Sequence, residues 1–177
     1  MTNPATHLIN NERVFARGCG HPLPPKELIM TQPIAWDEVA ALLAGQQFGV
    51  LGSNRHGHAY ASLVAFAASP NGRCLYFATT RATRKYHNLV EDERVALLID
   101  NRTNRPEDLY AAAALTAYGR AEEVPAADHP DVVELYLAKH PLLKAFILSP
   151  GTAMFQITVE NYHLVRQFQQ VTELRMQ

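Results

Sequence analysis

The stretch "LYFATTRATRKYHNL", residues 75–89, contains the change from strand to helix around which the fold is organised. Its first five residues have the composition of a β-strand, and from Thr83 onward Tyr86 and Leu89 recur at the spacing of one helix face. A helix N-terminus leaves backbone N–H groups unpaired and carries the positive end of the helix dipole, so it favours anions and above all phosphate. Hydroxyl and cationic side chains stand at this junction: Thr79, Thr80, Arg81, Thr83, Arg84 and Lys85.

The same residues also allow a purely structural interpretation. Thr83 has the chemistry of a helix N-cap, and exposed cations are commonly solvated without binding anything. The segment alone therefore leaves both a phosphate site and an ordinary helix start open.

The chain on either side of this junction has the alternation typical of antiparallel strands. Turn signals at residues 54–57 and 69–72 separate the first three strands, and the last strand is expected to bend near Glu160 and Asn161. Strands are predicted over 47–53, 59–67, 73–78, 94–100, 114–124 and 155–168. Six strands with mostly short connections predict a mainly β protein with α-helical insertions, folded as a small antiparallel barrel.

Three helices are predicted. One covers 36–45, with acidic residues in its first turn and Gly45 placed to end it. The second covers 83–91. The third spans 128–148, with Asp128 as N-cap, Pro130 near its first position, and a break at His140 and Pro141.

Length and composition indicate one ordinary domain. A chain of 177 residues buries enough surface to fold without disulfides or structural metal. Residues 1–32 lack periodicity and contain "RGCGHPLPP", which favours an extended arm, so the domain is predicted to cover 33–177.

The charge balance excludes several classes of partner. Sixteen Lys and Arg against seventeen Asp and Glu lack the basic excess of a nucleic-acid or membrane-surface binder. No stretch approaches the roughly 18 uncharged apolar residues of a spanning helix, and no signal-peptide pattern begins the chain. With only Cys19 and Cys74, far apart, a reducing cytoplasmic location is expected.

Metal ligation is weakly indicated. Cys19 with His21, and His56 with His58, are each a pair without a second cluster, whereas zinc sites use three or four protein ligands. No metal site is predicted. The aromatic side chains of the barrel strands are expected in the core or at an interface rather than as a nucleic-acid stacking platform.

Residues 48–100, "FGVLGSNRHGHAYASLVAFAASPNGRCLYFATTRATRKYHNLVEDERVALLID", resemble the flavin-binding split-barrel family typified by pyridoxamine 5'-phosphate oxidase. The resemblance rests on the order of a first strand, a strand with Ser62, the "LYFAT" strand, and the helix with Lys85 and "NL". "YGRAEEV", residues 118–124, resembles a later strand of the same family.

The resemblance implies a six-stranded Greek-key split barrel that forms a homodimer, with FMN at the dimer interface and oxidoreductase activity on a small molecule. Flavin carries out the redox step, so no catalytic side chain is predicted. By position, the ring contacts fall on Ala61, Ser62, Leu63 and Val64, and the phosphate contacts on Thr79, Thr80, Arg84 and Lys85.

Two departures argue against a true pyridoxamine phosphate oxidase. The strand at 61–66 lacks the cations that the family's oxidases carry there, and the C-terminal segment lacks their Trp-containing motif. Arg166 or His163 of a partner subunit are candidates to complete the site. A haem-binding or deazaflavin-binding protein on the same barrel is the alternative, with His56, His58 or His163 as haem ligands.

Overall fold

The computed structural model describes residues 36–167 and 170–176. The predicted arm over 1–32 lies outside the described residues, so the proposed domain boundary stays a prediction.

Seven strands and five short helices make up the described chain. The strands are β1 Phe48–Arg55, β2 His58–Ala68, β3 Cys74–Thr80, β4 Arg94–Asp100, β5 Ala113–Glu123, β6 Thr152–Arg166 and β7 Gln170–Arg175. The helices are α1 Trp36–Gly45, α2 Arg84–Glu91, α3 Asp108–Ala111, α4 Pro130–Lys139 and α5 Lys144–Ile147, with a 3₁₀ turn over Pro141–Leu143. All six predicted strands are present, and β7 and α3 were not predicted.

The first six strands close into an antiparallel barrel. Their order is β3-β2-β1-β4-β5-β6, and pairing of β3 with β6 completes the ring, while β7 pairs with β6 outside it. Since β4 returns to lie beside β1 after the β1-β2-β3 meander, the topology is a Greek key. The predicted mainly β, six-stranded Greek-key split barrel is therefore confirmed.

Local turn chemistry sets the first hairpin. Arg55 pairs with His58, and the two residues between them, His56 and Gly57, have φ of 50° and 79°. Positive φ at both central positions is typical of the two-residue hairpin turns whose twist matches that of the strands. The predicted turn is confirmed.

The core occupies the barrel and one satellite cluster. Side chains from all six barrel strands fill the interior, and each large one contributes about 1.5–3 kcal/mol of burial free energy. A second cluster lies between α4 and the outside of β2 and β3; its buried members are Ala67, Tyr76, Val124, Val132, Tyr136, Ile147 and Met154.

The prediction that Asp128 is the N-cap of the third helix is wrong. The cap is His129, with φ −128° and ψ 63°, immediately before Pro130. A proline disfavours helical backbone in the residue before it, so the helix starts at Pro130. The predicted break is confirmed: His140, before Pro141, has nearly the same backbone angles, φ −127° and ψ 64°.

A β-bulge bends the long strand β6 where the sequence predicts a bend. Tyr118 pairs with Asn161 and Gly119 with Val159, which leaves Glu160 as the extra residue. A Cβ on Gly119 would lie 2.1 Å from the Thr158 carbonyl oxygen. The backbones of β5 and β6 therefore approach too closely at this point for any side chain.

We expect Gly119→Ala to lower the free energy of unfolding by about 1–3 kcal/mol, because the methyl group must push β5 away from β6. Gly45→Ala is the matched control, since a Cβ at Gly45 meets nothing within 4 Å. Urea denaturation followed by circular dichroism measures both. Equal midpoints for the two variants would contradict the close approach.

Candidate functional site

Strands β2 and β3 separate soon after they meet. They pair over three residue pairs, from Phe66 with Phe77 to Ala68 with Leu75, whereas β1 pairs with β2 over eight. Residues 58–65 of β2 therefore have no strand partner on the β3 side among the described residues. We call this edge of β2 the open edge.

Two side chains identify which backbone groups face outward along the open edge. Lys85 Nζ lies 3.2 Å from the Leu63 carbonyl oxygen, and Tyr136 Oη lies 3.2 Å from that of Ala65. The N–H and C=O of one residue in an antiparallel strand point to the same side. The N–H groups of Leu63 and Ala65 consequently face the gap as well, and by alternation so does that of Ala61.

Helix α2 starts beside this edge, and its start is fixed by hydroxyl groups. Thr83 is the N-cap: its Oγ1 accepts from the N–H of Tyr86 at 3.3 Å and donates to the carbonyl of Thr80 at 2.9 Å. Because the Thr83 hydroxyl donates its proton to Thr80, the Thr79 hydroxyl is the donor in the 2.9 Å contact between the two side-chain oxygens. Thr79 is 3% exposed, so it supports the cap from within, while Thr80 is exposed.

The three cations of the junction have different surroundings. Arg81 is neutralised by Glu123 at 2.5 Å and donates to the Tyr86 hydroxyl at 3.1 Å. The hydrogen bonds from Arg81 hold the pKa of the Glu123 carboxyl below its usual range. Arg81 thus forms a structural ion pair with Glu123 and is not free to bind an external anion.

The side chains of Arg84 and Lys85 extend over β2. The Arg84 guanidinium lies 4.8 Å from the centre of the Tyr60 ring, and the Lys85 ammonium reaches the Leu63 carbonyl. Neither has an acidic partner within residues 36–167 and 170–176. Burial lowers the pKa of Lys85, because desolvation disfavours its charged form. The two cations give the gap a local positive charge in a chain of net charge −1.

The first turn of α2 adds two backbone donors. The amide N–H groups of Arg84 and Lys85 have no hydrogen-bond acceptor in the part of the chain that the structure describes. Unpaired N–H groups beside two uncompensated cations are the arrangement that binds phosphate at helix N-termini.

The four predicted ring-contact residues divide between the two faces of β2. Ala61 and Leu63 point outward, with Leu63 63% exposed, while Val64 is 4% exposed and packs in the core. Ser62 points inward, and its hydroxyl is buried without a partner among the described residues. Consecutive strand residues alternate faces, so one ligand could meet all four only through the backbone.

An apolar surface continues from Leu63 around the outside of the barrel. It joins β2 to β1, β4 and β5, because Gly52 pairs with both Ala61 and Ala96, and Ala96 pairs with Tyr118. We call this surface the outer patch; its members include Phe48, Val50, Gly52, Ala61, Leu63, Ala96, Leu98 and Tyr118. A groove of about 460 Å³ lies between Ala61, Gly52, Ala96 and Tyr118.

The other candidate residues are placed as follows. His163 lies on the outer patch, with its ring 4.8 Å from that of Tyr118. Arg166 is paired with Glu38 of its own chain at 2.7 Å. His56 contacts Glu91 at 2.9 Å. Among the described residues, no three His, Cys, Asp or Glu side chains converge as metal ligands, and Cys19 and His21 fall outside those residues.

A second cleft, of about 490 Å³, lies at the opposite end of α2. Both cations of its lining already have carboxylate partners: Arg120 pairs with Glu93 and Glu160, and Arg94 with Asp92. Because this cleft offers an anion no free cation among the described residues, we place the candidate site at the open edge instead.

Sequence reasoning missed Tyr60, Glu123 and Tyr136. The contact of the Tyr60 ring with Arg84 was not predicted. Glu123 of β5 contacts Arg81, and Tyr136 of α4 contacts Ala65, across 42 and 71 positions of sequence. No local pattern predicts such contacts.

In the described residues, no helix combines the length and hydropathy required to cross a membrane.

The sequence matches one family model, described as "Pyridoxamine 5'-phosphate oxidase", over residues 35–166. A search of curated proteins finds no match. Among solved structures, a haem-binding protein from Mycobacterium smegmatis is similar, with 18% identity and a TM-score of 0.71, covering 82% of this chain and 60% of that one. The chain thus spans about 60% of the length of that relative.

Two further solved structures share the fold. A FAD-binding protein from Mesorhizobium loti has 17% identity and a TM-score of 0.60, covering 74% of this chain and 92% of that one. A putative pyridoxamine 5'-phosphate oxidase from Listeria innocua has 20% identity and a TM-score of 0.57, covering 73% and 96%.

The partly buried ammonium of Lys85 predicts a pH effect on stability. Because its pKa is lowered in the folded state, the unfolded chain binds more protons between that pKa and the ordinary value of 10.5, and stability rises with pH there. We expect Lys85→Met to remove part of this rise, as measured by urea denaturation across the alkaline range. Lys144→Met, at an exposed position, is the control. If the free energy of unfolding of Lys85→Met depends on pH as steeply as that of the wild type, Lys85 is not desolvated.

Proposed function

Because this chain belongs to the pyridoxamine 5'-phosphate oxidase family, we propose that it is a flavoprotein that binds FMN at the gap between β2 and β3. One observation carries the proposal: Arg84 and Lys85, without acidic partners in the described chain, stand with two free N–H groups beside the open edge. A phosphate monoester is the ligand that compensates this charge and these donors together.

The residues fit the two ends of FMN differently. Arg84 has the planar fork that suits two phosphate oxygens, and Lys85 supplies a point charge. Thr80, exposed at the end of β3, is a further donor, whereas Thr79 acts through the Thr83 cap. The outward N–H groups of Ala61 and Leu63 are donors for the polar edge of the flavin ring.

A second copy of the chain is the proposed partner. The outer patch leaves Phe48 57%, Leu63 63% and Tyr118 39% exposed on one surface. Monomeric proteins seldom expose contiguous apolar surfaces of this kind, and such surfaces mark interfaces. A homodimer through the outer patch would cover it and enclose the ring beside Leu63, with His163 of the partner subunit as the candidate to complete the site.

We propose an oxidoreductase whose small-molecule substrate is unassigned. FMN, when bound, supplies the redox chemistry, and the protein binds the cofactor, orients it and excludes water. The strand at 61–66 offers a substrate no cation. A substrate bearing its own phosphate, such as pyridoxamine phosphate, is accordingly disfavoured.

We expect Arg84→Ala and Lys85→Ala each to weaken FMN affinity by about 1.5–3 kcal/mol, the range for a hydrogen bond to a charged group. Quenching of FMN fluorescence on titration with the protein measures the affinity. Lys144→Ala is the matched control, because it removes the same charge from an exposed position. Wild-type affinity in both site variants would reject the phosphate site.

The cofactor itself is tested by the visible absorption spectrum of protein purified without added ligand, with mass identification of whatever heat releases. Bound FMN supports the proposal. A Soret band would favour the haem alternative, and a deazaflavin would keep the site but change the chemistry. A colourless protein that takes up no FMN would refute the flavoprotein assignment.

The dimer is tested by Phe48→Glu, which introduces a charge into the outer patch. We expect this variant to shift the mass measured by light scattering from dimer towards monomer, since a buried unpaired carboxylate is costly. Leu142→Glu, at a position 95% exposed on the 3₁₀ turn, should leave the mass unchanged. Two equal masses would argue against the outer patch as the interface.

A further inference from the structure

An apolar cleft lies among α1, α4 and the β2–β3 hairpin. Its volume is about 410 Å³, within the range of small-molecule sites. Trp36, Ala40 and Leu43 of α1 form one wall, and Leu135 and Ala138 of α4 form another. The Trp36 indole packs closely against the β2–β3 hairpin, because a Cβ on Gly72 would lie only 2.2 Å from the ring.

Lys139 contributes the cleft's single charged side chain among the described lining residues. Its ammonium lies 4.0 Å from the centre of the Phe66 ring and donates to the Leu43 carbonyl at 2.8 Å. Burial lowers the pKa of Lys139 to about 8. Desolvation lowers this pKa because it disfavours the charged form of the amine.

This charge is only partly compensated. The Leu43 carbonyl belongs to the last turn of α1, where carbonyls lack helical partners, so Lys139 also serves as a cap across the two helices. One carbonyl satisfies one of the three ammonium donors and carries no formal charge. Within the described residues, no carboxylate lies in salt-bridge distance of Lys139.

We propose that this cleft is a second ligand site, which binds a small apolar monocarboxylate. The carboxylate would pair with the Lys139 ammonium, and the aliphatic or aromatic body would lie against Trp36, Leu43 and Leu135. A dianion such as phosphate does not suit the site, since Lys139 is the single cation among the described lining residues and most of the lining is apolar. The site is independent of the proposed flavin site, which uses α2 and the open edge.

The chain contains one tryptophan, which makes the cleft directly observable. Octanoate is titrated into the full-length protein while Trp36 emission is followed, with octanol as the uncharged probe of equal length. We expect a saturable emission change with octanoate at millimolar or lower concentration, and about tenfold weaker binding of octanol, the lower end for loss of a charge-assisted hydrogen bond.

Lys139→Met keeps the apolar stem and removes the charge. We expect it to weaken octanoate binding about tenfold and to leave FMN affinity unchanged, which also reports that the variant folds. Lys144→Met is the matched control. If Lys139→Met fails to fold, Ala138→Phe fills the cleft instead and should abolish the octanoate response. Absence of a response in the wild type, equal binding of octanol, or unchanged binding in these variants would overturn the proposal.

Discussion

The open edge of β2 is the constraint on which the rest of the structure depends. Buried backbone groups need hydrogen-bond partners, and β2 loses its neighbour on the β3 side after three residue pairs. Lys85 from α2 and Tyr136 from α4 take the place of the missing strand by binding the carbonyls of Leu63 and Ala65. Both side chains act as donors towards β2, so the N–H groups along the same edge stay available to a ligand.

The distribution of cations follows from the same geometry. Arg81 points across to β5, where Glu123 neutralises it, while Arg84 and Lys85 point along α2 towards β2 and meet no carboxylate in the described chain. A protein of almost zero net charge therefore carries a local cluster of positive charge without carboxylate partners in the described chain. Lys139 is bound in a similar way, to a backbone carbonyl and an aromatic ring.

Local patterns predicted the parts of the fold that depend on neighbouring residues. The hairpin at His56 and Gly57, the Thr83 cap and the bend at Glu160 all follow from turn, cap or alternation chemistry within a few positions. The cap is His129, one residue after the predicted Asp128, because proline restricts the backbone of the residue that precedes it. The Arg81 to Glu123 pair and the reach of Tyr136 to β2 depend on tertiary packing, which no window of sequence contains.

The backbone donors of the open edge and of the first turn of α2 have an evolutionary consequence. The N–H groups of the open edge and of the first turn of α2 exist whatever side chains those positions carry, so they are inherited with the barrel. Sequence drift at Ala61, Ala96 or Tyr118 can then reshape the surrounding surface while these backbone donors persist. The surface beside the open edge can therefore change without loss of its hydrogen-bonding groups.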